Sequence, residues 1–145
     1  DRSLQRGAFA GFVYALFDRD SSLLHYCNGG MPSPWLLRAD GRIERLHRGG
    51  HLLGFAEQHD YHEGVLKLAA GDLLFLRSDG LEDLEDRAGQ EFGEGRLLEW
   101  LQDRQEVALE ALSDQLLATL KSYSSDDLND DISFMFMRLD RISQY

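Results

Sequence analysis

The chain has 145 residues, 43% hydrophobic and 28% charged, with a formal net charge of −11 at pH 7. That is one domain's worth of chain, or most of one, and the composition is that of a folded soluble protein, which excludes a disordered chain. The acidic balance excludes nucleic acid and anionic membranes as partners, since both need basic surface, and no apolar run reaches the roughly 20 residues of a membrane span.

AFAGFVYALFD (8–18) is aromatic and apolar on both faces and predicts a central strand. DRDSS (18–22) predicts a turn and LLHYCN (23–28) a second strand, so the two form a hairpin. GGMPSP (29–34) is punctuation before WLLR (35–38); ADG (39–41) is a tight Asp-Gly turn leading to RIERL (42–46). RGGHLLGF (48–55) is broken up by glycines, and YHEGVLKLAAGDLLFLRSDG (61–80) reads as two strands around the turn AAGD. EFGEGRLLEWLQDR (91–104) and EVALEALSDQLLATLKSYS (106–124) carry apolar residues at helical spacing, with Leu109, Leu112, Leu116 and Leu120 on one face. SSDDLNDD (124–131) is an acidic loop, and ISFMFMRL (132–139) is a closing strand apolar on both faces. Strands, then helices, then one more strand predict an antiparallel α+β layered domain over residues 1–145.

Several motifs fail on their chemistry. Gly93-x-Gly95 lacks a third glycine and follows a loop, so it is no dinucleotide fingerprint. The acids from Asp83 are not an EF-hand, because Arg87 and Ala88 stand where an oxygen ligand and a glycine are needed. His59-x-x-His62 has no further Cys or His at zinc spacing. Ser78 is not in a Gly-x-Ser-x-Gly elbow. Trp35, Trp100, Met135 and Met137 read as packing residues, Cys27 as a small buried hydrophobe, and His25, His47, His59 and His62 as surface groups.

Two acidic features remain. Asp79-Gly80 ends the strand DLLFLRS, and Asp130-Asp131 precedes ISFMFMR. If these two strands are antiparallel neighbours, the end of one lies beside the start of the other, and Asp79 and Asp130 meet at one rim. Paired carboxylates repel unless a cation lies between them, and oxygen-only ligands suit Mg²⁺ or Mn²⁺. The alternative is an ordinary turn and a solvated loop.

In their order, these segments resemble the type 2C metal-dependent serine/threonine phosphatases of the bacterial SpoIIE-like, RsbU-like branch. FVYALFDRDSSLLHYCNGGMPSPWLLRADGRIERL resembles that family's strand pair, Gly- and Pro-containing turn and ADG hairpin, and GGHLLGF its Gly-x-x-Leu-Gly element. LAAGDLLFLRSDGLEDLEDRAGQEFGEGRLLEWL resembles its central TDG block, and DDISFMFMR its closing strand. The resemblance implies a β-sandwich flanked by helices (α/β/β/α) and hydrolysis of phosphoserine or phosphothreonine with two Mn²⁺ or Mg²⁺ ions. It implies Asp79 and Asp130 as metal ligands, with Asp131 and Gly80 supporting them from behind, and no further catalytic residue. The substrate implied is a phosphoprotein such as an anti-anti-sigma-type regulator, and an upstream sensor or receiver domain is a further expectation. The family's D-x-S-G-H-G motif is not present in these residues, and its AGH turn is here Asn28-Gly29-Gly30. The chain is therefore expected to be a domain incomplete at its amino-terminal end, with a non-catalytic adaptor of the same fold as the alternative. The opening DRSLQRGAFA has no signal-peptide pattern and Cys27 has no partner for a disulfide, so a cytoplasmic location is expected.

Overall fold

The computed structural model describes residues 8–55, 60–124 and 132–140. Eight strands and two helices follow in the order β1 (Phe12–Asp18), β2 (Leu23–Gly29), β3 (Trp35–Leu37), β4 (Ile43–Arg45), β5 (Gly49–Gly50), β6 (Gly64–Lys67), β7 (Leu73–Arg77), α1 (Gly93–Gln102), α2 (Leu109–Tyr123) and β8 (Phe134–Arg138). One sheet has the path β1-β2-β5, with β6 also on β2; the other runs β4-β3-β7-β8. This is the layered α+β sandwich the sequence predicts, although one pairing, β2 with β5, is parallel rather than antiparallel.

Period-2 side chains build two cores. On β3 and β7, Trp35, Leu37, Leu73 and Phe75 face the helices and meet Leu97, Leu101, Leu112, Leu116 and Leu120. The alternate residues, Leu36 and Leu74, face the other sheet and pack with Leu24 and Tyr26 of β2. The leucine face of α2 is as expected: Leu112, Leu116 and Leu120 are fully buried. Each fully buried leucine contributes about 1.5–3 kcal/mol relative to exposure, so this stripe, rather than helix propensity, holds α2 in place. α2 begins at Leu109 and not at 106 because Ala108 is extended, with ψ 144°.

The predicted turns form with the expected chemistry. Gly41 closes the Asp-Gly turn at φ 87°, and Gly71 closes the AAGD turn at φ 90°, both values that favour glycine. The carboxylate of Asp72 then ties the β3–β4 hairpin turn to the turn that carries the chain from β6 in one sheet to β7 in the other. It is buried, accepting from Arg38 Nη1 at 2.8 Å, Ala69 N at 2.9 Å and Ala39 N at 3.1 Å.

Some expectations need correction. β1 was expected to be central but ends its sheet's path among the described strands, with Tyr14 and Leu16 more than half exposed. β8 likewise ends its path, and Met135 is 56% exposed. A two-sided apolar pattern measures how greasy a strand is, not how many neighbours it has. The stretch 48–55 yields only the two-residue β5, and Cys27 is half-buried rather than buried.

Candidate functional site

β7 and β8 are antiparallel neighbours, in the register Arg77↔Phe134. One step further, Ser78 N donates to Ser133 O at 2.8 Å and Ser133 N donates to Ser78 Oγ at 3.0 Å. This clasp fixes the rim where β7 ends and the chain enters β8. Asp79 follows at once, as the first residue of a single 3₁₀ turn spanning Asp79–Leu81. The turn at Asp79-Gly80 is a right-handed 3₁₀ turn, in which Gly80 and Leu81 are buried while Asp79 is exposed.

The turn aims Asp79 outward. Its carbonyl accepts from Glu82 N at 2.8 Å and Asp83 N at 3.2 Å, and its own Oδ1 accepts from Gly80 N at 3.0 Å. Oδ2 accepts no hydrogen bond among the described residues. One carboxylate oxygen is held and the other is available, which suits a ligand for a hard cation. Asp130 and Asp131 lie outside the described residues, so the predicted Asp79–Asp130 approach is not visible. Among the described residues no three His, Cys, Asp or Glu groups converge as a metal cluster.

Sequence reasoning missed the support beneath Asp79. Arg77, whose side chain is 3% exposed, pairs with Glu82 through both Nε and Nη2. Its Nη1 donates to Ser33 O at 3.0 Å, and its guanidinium lies 4.0 Å from the centre of the Trp35 ring. Glu82, which begins an acidic stretch, is the counter-ion of a buried arginine. The only available signal was the Arg-Ser-Asp-Gly-Leu-Glu spacing, which one tight turn folds back on itself. Further along, Asp86 does shape a solvated loop: the amides of Gln90 and Ala88 hold its carboxyl below the ordinary value of 3.8.

A cleft of about 320 Å³ adjoins this rim, lined by Gly11, Phe12, Met31, Ser78, Phe134 and Met135 among others. It lies between the sheets where β1 stands over β8. His25, expected on the surface, is half-buried beside Glu63 at 3.0 Å; His47 and His62 are exposed, and His59 lies outside the described residues.

The profile of the Stage II sporulation protein E (SpoIIE) family matches residues 1–140. The chain is 28% identical over 93 residues to Protein IcfG of Synechocystis sp. (strain ATCC 27184 / PCC 6803 / Kazusa), covering 64% of this chain and 15% of that protein. Its fold is similar to the SiaA-PP2C domain of Pseudomonas aeruginosa, with TM-score 0.75 and 25% identity over 90% of this chain and 51% of that one. It is also similar to the phosphatase domain of the cell fate determinant SpoIIE from Bacillus subtilis, with TM-score 0.70 and 17% identity over 99% of this chain and 63% of that one. The chain thus spans about half to two thirds of those solved domains and a small part of IcfG. With the matched profile running over nearly all its length, the chain belongs to the SpoIIE family and has the fold of its PP2C-type phosphatase domains.

Proposed function

We propose that this chain is the greater part of a Mn²⁺- or Mg²⁺-dependent protein serine/threonine phosphatase domain, acting on a phosphoserine of a regulatory protein such as an anti-anti-sigma-type antagonist. The observation that carries the reading is Asp79, set outward on a turn that the Ser78–Ser133 clasp and the Arg77–Glu82 pair both brace. Asp79 and Asp130 would hold the metal, with Gly80 N orienting the Asp79 carboxylate and Asp131 shaping the loop. Two residues, Asp131 and Ile132, separate Asp130 from Ser133, which is clasped to the neighbour of Asp79. RsbX, a neighbour of the same fold with TM-score 0.54 and 17% identity, is solved in complex with magnesium, which is consistent with this cofactor class.

A bound divalent cation supplies a water of lowered pKa and offsets charge on the phosphoryl oxygens. The chain's own contribution is position. Asp79 sits at the end of a buried strand, so its backbone is fixed by sheet hydrogen bonds and by the packing of Leu81. In-line attack at phosphorus gains most of its rate from such positioning. Nothing in the described residues favours the non-catalytic adaptor.

Calorimetry with Mn²⁺ on the wild type and on Asp79→Asn tests the site. Binding is expected to be weak, because two carboxylates and waters make a sparse cage, and weaker again in the variant. Equal binding by the two proteins removes Asp79 from the site. Phosphate release from phosphoserine peptides is expected to be slow for these 145 residues. It is expected to be Mn²⁺-dependent, and abolished by Asp79→Asn, in a longer form carrying a D-x-S-G-H-G segment.

A further inference from the structure

A second groove, of about 640 Å³, opens at the opposite lateral edge of the sandwich, between β4 and β6. Its walls carry Arg45, His47, Arg48 and His62, all exposed. Its two acids already have partners: Glu44 Oε1 accepts from Arg38 Nε at 2.7 Å, and Glu63 Oε1 lies 3.0 Å from His25 Nδ1. Arg45 is paired with Glu94 of α1. The Arg48 guanidinium engages no hydrogen bond or ion pair among the described residues.

The backbone holds these groups in place. Asn28 N donates to Arg48 O at 2.9 Å, and His62 N donates to Gly49 O at 3.1 Å. Gly49 and Gly50 allow that close approach: a Cβ on Gly49 would lie 1.8 Å from Asn28 O, and one on Gly50 would lie 2.8 Å from the Tyr61 ring. A run of contacts leads from the groove wall toward Asp79. Arg45 pairs with Glu94, the neighbouring Gly93 N donates to Glu82 O at 2.9 Å, and Glu82 N donates to Asp79 O at 2.8 Å.

We propose that this groove seats an acidic segment flanking the phosphoserine of the protein substrate, with Arg48 as its anchor. The proposal rests on the phosphatase reading above. A guanidinium offers a fork of donors matched to carboxylate oxygens, and the groove has room for several side chains. The net charge of −11 opposes such a partner only weakly at this place. The Debye length is about 8 Å at physiological salt, so the groups on the groove wall outweigh acids elsewhere on the surface.

The test is fluorescence anisotropy without metal, using a labelled unphosphorylated peptide with glutamates around its serine and a matched peptide with glutamines. The glutamate peptide is expected to bind with an affinity that falls as salt rises, and the glutamine peptide about tenfold more weakly. Arg48→Glu is expected to weaken the glutamate peptide about tenfold, with Arg48→Lys recovering part of the loss. Circular dichroism checks that both variants fold, as expected for an exposed side chain without partners among the described residues. Equal binding of both peptides, or equal binding by wild type and Arg48→Glu, overturns the proposal. Because neither phosphate nor metal is present, that failure is distinct from failure of the phosphatase reading, which is judged by Mn²⁺ binding at Asp79.

Discussion

Arg77 and Glu82 form a buried ion pair across the very turn that presents Asp79. The guanidinium is stacked on Trp35 and tied to the Ser33 carbonyl, so its position is fixed on three sides. Removing one member of such a pair leaves an uncompensated charge, at a cost of about 3–5 kcal/mol. Glu82→Ala is the sharper case, because the arginine side chain is 3% exposed while that of Glu82 is 23% exposed and can rehydrate. Urea denaturation is expected to show a loss of about 3 kcal/mol for Glu82→Ala, and less for Arg77→Met/Glu82→Met together. A single-variant loss below about 0.5 kcal/mol, the usual surface range, would mean that the pair contributes nothing.

Asp72 gives a second stability test. Its three hydrogen bonds reach the β3–β4 hairpin turn, the β6–β7 connection between the sheets, and Arg38. Asp72→Ala leaves two amides without their acceptor and is expected to cost about 3–5 kcal/mol, against about 1–3 kcal/mol for Asp72→Asn, which keeps the shape. Equal and small losses in guanidinium melts would contradict the clamp.

The pH dependence has a defined sign. Asp86 has a lowered carboxyl pKa because the Gln90 and Ala88 amides favour its ionised form. A depressed folded-state value gives a contribution that is complete above the unfolded pKa of about 3.9 and is lost as pH falls through the folded value. The same holds for Asp18, bound by the Ser21 hydroxyl, and for Asp40, bound by the Arg42 amide and guanidinium. Carboxyl NMR titration should place all three midpoints below 3.8. A midpoint at or above that value for Asp86 would show that its loop bonds do not persist in solution.

Gly49→Ala tests the backbone of the polar groove. The added Cβ would collide with the Asn28 carbonyl oxygen, which belongs to β2 and cannot swing away. A loss of at least about 1–3 kcal/mol is expected, together with faster hydrogen exchange at the Asn28 amide, which donates to Arg48 O. Unchanged exchange would mean that β5 is not held against β2 in this register.

Turns and single-faced elements were legible in the sequence because their signals are local. Asp40-Gly41 needs a positive φ and has it, and Leu112, Leu116 and Leu120 recur at helical spacing and are buried. The adjacency of β7 and β8 was also readable, since both are apolar enough to share a sheet. The charge partners were not. Asp72 looked like a turn residue, yet it answers Arg38 of the β3–β4 hairpin; nothing local but its spacing marked Glu82, which one 3₁₀ turn carries back to Arg77. Such pairings depend on where the chain returns in space. Asp79 stood out because a carboxylate at the end of an apolar strand is conspicuous in any register.

The β7–β8 pairing also imposes an order of events during synthesis. β7 leaves the ribosome well before its partner, with both helices made in between. Until Phe134–Arg138 emerges, Ser78 lacks the Ser133 backbone that clasps it, and the rim bearing Asp79 has no second side. Contacts so distant along the chain form slowly, because a long loop must close first. A nascent chain halted after α2 would have its helices but no completed rim, so the arrival of β8 is the step that closes the edge bearing Asp79.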